Sequence, residues 1–150
     1  HYNHTGPEIY KDLSDVDYIF AGIGTGGTVS GIGKFFKEHR PETKIIGIEP
    51  ASSPLLTKGY AGPHKIQGIG ANFVPEIYKN GKLDGVMTVS GSEAIEKAKH
   101  LAKNKGILAG ISSGANLAAA LKLSKQNPDK LIVTVMCDFG ERYLSTELFS

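Results

Sequence analysis

The run Gly22-Ile23-Gly24-Thr25-Gly26-Gly27-Thr28 places four glycines and two threonines within seven residues. It follows a short apolar run, Asp17–Ala21, and opens a segment with helical spacing, Thr28–His39. A strand-to-helix turn of this kind exposes backbone N–H groups at the positive end of a helix dipole, which favours a bound phosphate. Glycine suits the turn because a Cβ would hold the anion away from the backbone. Thr25 and Thr28 add hydroxyl donors. Two ligands fit this pattern. Gly22, Gly24 and Gly27 have the G-x-G-x-x-G spacing of dinucleotide sites, and Glu49 ends the next apolar run, where an acidic residue would take a ribose hydroxyl. The adjacent glycines and flanking threonines instead describe a compact cup for one phosphate monoester. A third reading is a tight turn that only packs helix on sheet.

Short apolar runs alternate with longer amphipathic ones around this turn. Lys44–Glu49 and Gly85–Val89 read as strands, and Lys130–Met136 as a continuous apolar, central parallel strand. Ser90-Gly91-Ser92-Glu93 is a capping box for a helix over 91–105, with Ala94, Ala98, Leu101 and Ala102 on one face and Gly106 as its stop. Ser112-Ser113-Gly114 precedes an Ala/Leu-rich helix that ends near Gln126, before Asn127-Pro128. Ser113 is placed as its cap. Between Ala51 and Pro75 the patterning fails, and a loop of this length is usually functional or disordered. Strands alternating with helices indicate an α/β fold, a three-layer αβα arrangement on a mostly parallel sheet.

Composition narrows the function. Seventeen basic residues are interspersed with 15 acidic ones, for a formal net charge of +2. That balance gives no electrostatic case for nucleic acid or an anionic membrane surface. No apolar run reaches the ~18 residues of a membrane span, and no leader is visible. The single Cys, Cys137, fits a reduced, cytoplasmic setting. A buried structural thiol is expected there. The five His residues lack metal-ligand spacing except for H-x-x-H at His1 and His4, so no metal site is expected. His64 is given no chemical role, and Glu141 and Arg142 are read as structural contacts. Glycine, at 19 of 150 residues, is well above the ~7% average.

Five blocks then point one way: H-Y-x-x-T-G-P-E-I-Y from His1, A-G-I-G-T-G-G-T-V-S-G from Ala21, G-P-H-K-I-Q-G-I-G-A from Gly62, G-I-S-S-G-A from Gly110 and C-D-F-G-E-R-Y-L-S-T from Cys137. In this order the chain resembles the cysteine synthase (O-acetylserine sulfhydrylase) family of fold type II pyridoxal-phosphate enzymes. The resemblance implies the larger domain of the tryptophan synthase β-like fold, incomplete here. It implies that Gly24, Thr25, Gly26, Gly27 and Thr28 hold the 5′-phosphate of pyridoxal 5′-phosphate, and that Ser112 hydrogen-bonds the pyridine nitrogen. Gln67, Gly68, Ile69 and Gly70 would form a loop at the active-site mouth, near cofactor and substrate. Asn72 stands where the family commonly has Gly, and Asn tolerates positive φ; Cys137 stands where Pro is common before Asp138, so that beside the favoured buried-thiol reading the resemblance also offers it a place near the pyridine ring.

The family's Schiff-base lysine block and its S-G-N-T-G substrate loop have no counterpart in this sequence. Residues 1–150 therefore resemble the C-terminal, cofactor-phosphate-binding part, without a catalytic residue of its own. The intact enzyme is expected to convert O-acetyl-L-serine and sulfide to L-cysteine and acetate, and the chain alone is expected to be inactive. Resemblance further implies a homodimer and binding of the serine acetyltransferase C-terminal tail. Two other functions stand beside it: a nicotinamide-dependent oxidoreductase built on G-x-G-x-x-G, and a non-catalytic scaffold that binds serine acetyltransferase.

Overall fold

The computed structural model describes residues 1–75, 83–146, 148 and 149. The chain order is α1 (Thr5–Asp12), β1 (Tyr18–Gly22), α2 (Gly27–His39), β2 (Lys44–Pro50), the single-turn α3 (Leu55–Lys58), β3 (Gly85–Val89), α4 (Gly91–Lys105), α5 (Ile111–Gln126) and β4 (Ile132–Thr134). A 3₁₀ turn, Gly140–Tyr143, follows. The four strands are all parallel, in the order β3-β2-β1-β4. Parallel pairing sends every strand's C-terminal end to one edge of the sheet, the edge at which such folds bind ligands.

Period-two alternation along the strands divides the core into two layers. On one face Phe20, Ile48 and Val89 pack against Ala94 and Ala98 of α4 and Ala115 and Ala119 of α5. On the other, Ile19, Ala21 and Ile45 pack against Val29, Ile32 and Phe36 of α2, with Ile9 and Tyr10 of α1 outside them. Helices therefore cover both faces, giving the three layers expected. Phe20, Phe36, Ile19, Ile32 and Ile45 are fully buried.

Three elements differ from the sequence expectation. The apolar run 130–136 makes a strand only over Ile132–Thr134, and among the described residues β4 is the outer strand, beside β1, rather than a central one. The cause lies in α5. Asn116 Nδ2 donates to the Val135 carbonyl at 2.7 Å, and Ser113 Oγ accepts from the Cys137 N–H at 3.0 Å. These bonds draw the chain off the sheet. Ser113 is for the same reason not a cap: it lies inside the helix, whose N-cap is Gly110. The irregular 51–75 stretch contains α3, whose N–H groups are capped from a distance by Glu49. None of the described non-glycine residues, Asn72 included, adopts positive φ, so the tolerance of Asn is not drawn upon there.

Candidate functional site

The cup sits where β1 meets α2. Gly26 is the N-cap of α2 at φ 86, a left-handed conformation that glycine adopts without steric cost. The turn leaves the first N–H groups of α2 without helical partners, at the positive end of its dipole. Gly24 is held by close approach: a Cβ there would lie 2.4 Å from the Gly68 carbonyl oxygen. The glycines thus let the loop carrying Gly68 close against the cup. Thr28 Oγ1 meets His1 Nε2 at 3.1 Å, and His1 Nδ1 meets Thr5 Oγ1 at 2.9 Å. Among the described residues no group of His, Cys, Asp or Glu is arranged to hold a metal.

One cavity of about 210 Å³ brings the pieces together. Gly24, Thr25, Gly26, Gly27 and Thr28 form one wall. Gly68 and Ile69 form a second. Ser112, in the first turn of α5 and 3% exposed, forms part of a third. Gln67 and Gly70 do not line it: Gln67 faces a separate cavity with His64, Lys65 and Ile95, and Gly70 faces one beside Glu49 and Ser53.

Gly22 belongs to the first wall, and Cys137, Asp138 and Arg142 complete the lining; the motif resemblance offers only Cys137 a place near the ring, and sequence gives Asp138 and Arg142 no site role. Their position depends on the last segment folding back, with the Gly110 N–H donating to the Asp138 carbonyl and the Gly140 N–H to the Leu108 carbonyl. Arg142 makes the expected C-terminal contact, 3.5 Å from Asp138 Oδ2, and that contact lies at the cavity. Cys137 is an exposed residue, not a buried one. Its thiol still lies against neighbouring atoms, and their desolvation pushes its pKa above the ordinary value, outweighing hydrogen bonds from Ser112 and Asn116. Tyr143 donates to Asp138 Oδ2; burial and that carboxylate raise the phenol's pKa. Asp138 Oδ1 and Asn116 Oδ1 are buried without a partner. The one available signal for these residues was the C-D-F-G-E-R block itself.

This cavity fits a phosphate monoester carried on a ring. The N–H groups at a helix N-terminus supply positive potential for the phosphate, the neutral Ser112 hydroxyl stands in another wall of the same cavity, and Arg142 is paired with the Asp138 carboxylate. A dinucleotide fits less well. Glu49 is 2% exposed, and its carboxylate accepts the Leu56 N–H at 2.8 Å, the Thr57 N–H at 2.9 Å and the Thr57 hydroxyl. It is spent on α3 and offers nothing to a ribose.

Comparison with known proteins agrees. Residues 1–138 match the family described as "Pyridoxal-phosphate dependent enzyme". Cysteine synthase B of Campylobacter jejuni is 54% identical over 151 aligned positions, covering all of this chain and 50% of that protein. The crystal structure of O-acetyl serine sulfhydrylase isoform 3 from Entamoeba histolytica superposes with a TM-score of 0.93 at 41% identity, over 97% of this chain and 44% of that one. That of O-ureido-L-serine synthase superposes with a TM-score of 0.95 at 37% identity, over 99% and 48%. The chain spans about half the length of the curated relatives it matches. It belongs to the family of pyridoxal-phosphate dependent enzymes.

Proposed function

We propose that this chain is the C-terminal, cofactor-phosphate-binding part of a cysteine synthase, an enzyme that makes L-cysteine and acetate from O-acetyl-L-serine and sulfide. One observation carries the reading: the Gly24–Thr28 turn and Ser112 open on one cavity. The backbone N–H groups at the start of α2 and the Thr25 and Thr28 hydroxyls would hold the phosphate of pyridoxal 5′-phosphate. When bound, the cofactor supplies an electron sink for the carbanion at the substrate's α-carbon. Ser112 would hydrogen-bond the pyridine nitrogen as a neutral partner. A carboxylate there would keep that nitrogen protonated and favour transamination; a hydroxyl favours β-elimination and replacement.

Gly68 and Ile69 would bound the cofactor from the loop side, whereas Gln67 and Gly70, which face other cavities, are not assigned to the substrate loop. Among the described residues no lysine lines the cavity. The Schiff-base lysine is accordingly assigned to a preceding half, in keeping with the half-length match to relatives. The motif resemblance further supports a homodimer and the serine acetyltransferase C-terminal tail as a partner, and the single Cys a cytoplasmic location. No helix among the described residues is long and apolar enough to cross a membrane. The test is turnover. With pyridoxal phosphate, O-acetyl-L-serine and sulfide, the 150-residue chain alone should form no cysteine, and the protein that also carries the lysine block should. Robust turnover by the chain alone would overturn the assignment.

A further inference from the structure

We infer that His64 is a positioning residue for the phosphate cup, acting through the loop wall it closes; this rests on the cup reading above. The ring spans the base of the 64–70 loop. Nδ1 accepts from the Ile66 N–H at 3.2 Å, and Nε2 lies 3.0 Å from the Gly70 carbonyl oxygen. A backbone N–H can only donate, so Nδ1 carries no proton, and Nε2 is the donor to Gly70. One ring thus ties the two ends of the loop together. The loop in turn builds a wall of the cup. The Gly70 N–H donates to the Ile23 carbonyl at 2.9 Å, inside the glycine run. The Gly68 carbonyl closes on Gly24, and Ile69 packs so tightly over Gly22 that a Cβ there would lie 2.5 Å from Ile69 Cγ2. Ile66 and Ile69 anchor the loop in the core. The other approach is pinned independently, with the Gly62 N–H donating to Ser53 Oγ and Ser52 Oγ donating to the Pro63 carbonyl. His64 is therefore the side-chain tie placed between that anchor and the cup wall.

The two ring nitrogens can be separated by substitution. Gln places its amide N–H near the position of Nε2 and keeps the bond to Gly70. Asn reaches only the position of Nδ1 and keeps the bond from Ile66. Binding of inorganic phosphate to the full chain should stay within about threefold of wild type in His64→Gln and weaken at least about tenfold in His64→Asn. The second readout needs no ligand: hydrogen exchange at the Gly70 N–H should quicken in His64→Asn and much less in His64→Gln. Equal exchange in the two variants, or unchanged exchange in both, would overturn the inference whatever phosphate does. If the wild-type chain fails to bind phosphate while exchange behaves as expected, the cup reading is what falls.

Discussion

Gly24 has no room for a side chain, because the Gly68 carbonyl occupies the space a Cβ would take. Gly24→Ala must move backbone, and overpacking of this kind costs about 1–3 kcal/mol. The displaced wall should weaken phosphate binding by at least about tenfold in a calorimetric titration, far beyond what an exposed Gly→Ala change does. Cys137 gives a second prediction at this scale. Desolvation raises its pKa, and the thiolate is the reactive form. Alkylation by iodoacetamide at pH 7 should be slower than that of free cysteine and should climb steeply at alkaline pH, despite the residue's exposure. The glycine–threonine run is readable as an anion-binding turn because its meaning is local, a turn, a dipole and hydroxyls, whereas Ser112 takes its role only from the motif resemblance. Arg142 and Asp138 are not readable as site residues. They reach the cavity through a fold-back onto residues 108–110 that no spacing rule encodes. The ribose role open to Glu49 in the dinucleotide alternative fails for the same reason, since its partners Leu56 and Thr57 belong to a single-turn helix too short to read from sequence.

α4 shows an element whose ends are written in its own residues. Ser90 Oγ accepts from the Glu93 N–H at 3.2 Å, and the Glu93 carboxylate accepts from the Ser90 N–H at 3.0 Å. Gly106 closes the other end in the left-handed conformation. Ser90→Ala should cost about 1 kcal/mol in denaturant unfolding. Glu93 also reaches Lys122 of α5 at 2.6 Å, and that ammonium, with the Ser90 N–H, lowers its pKa from 4.5 to about 2. Its contribution to stability is thus full above pH 4.5 and disappears as pH falls toward 2. A Glu93→Gln variant should be less stable than wild type at neutral pH, with the gap closing in acid; a gap independent of pH would contradict the pairing. β4 is the counterexample. Its apolar run continues to Met136, but strand geometry stops at Thr134 because Asn116 and Ser113 take the following backbone. An element's length is readable when its caps are local and unreadable when another element ends it.

At the scale of the molecule, two apolar layers on a parallel sheet aim strand ends and helix N-termini at one edge. The α/β alternation made that architecture legible, while the sheet order needed the structure. Phe36 is fully buried between α2 and the sheet, and Phe36→Ala should cost about 3–5 kcal/mol in a denaturant titration. The proposed cup would hold the phosphate of a ring-bearing cofactor. This assignment is tested most directly with pyridoxine 5′-phosphate, which has the ring and the phosphate but no aldehyde to react with surface lysines, titrated against pyridoxine. The phosphorylated ligand should bind at least about tenfold more tightly. That preference should be lost in Thr28→Val and Gly24→Ala, and NAD should not displace the ligand. Equal affinity for the two pyridoxine forms, or a preference that survives both substitutions, would contradict the account.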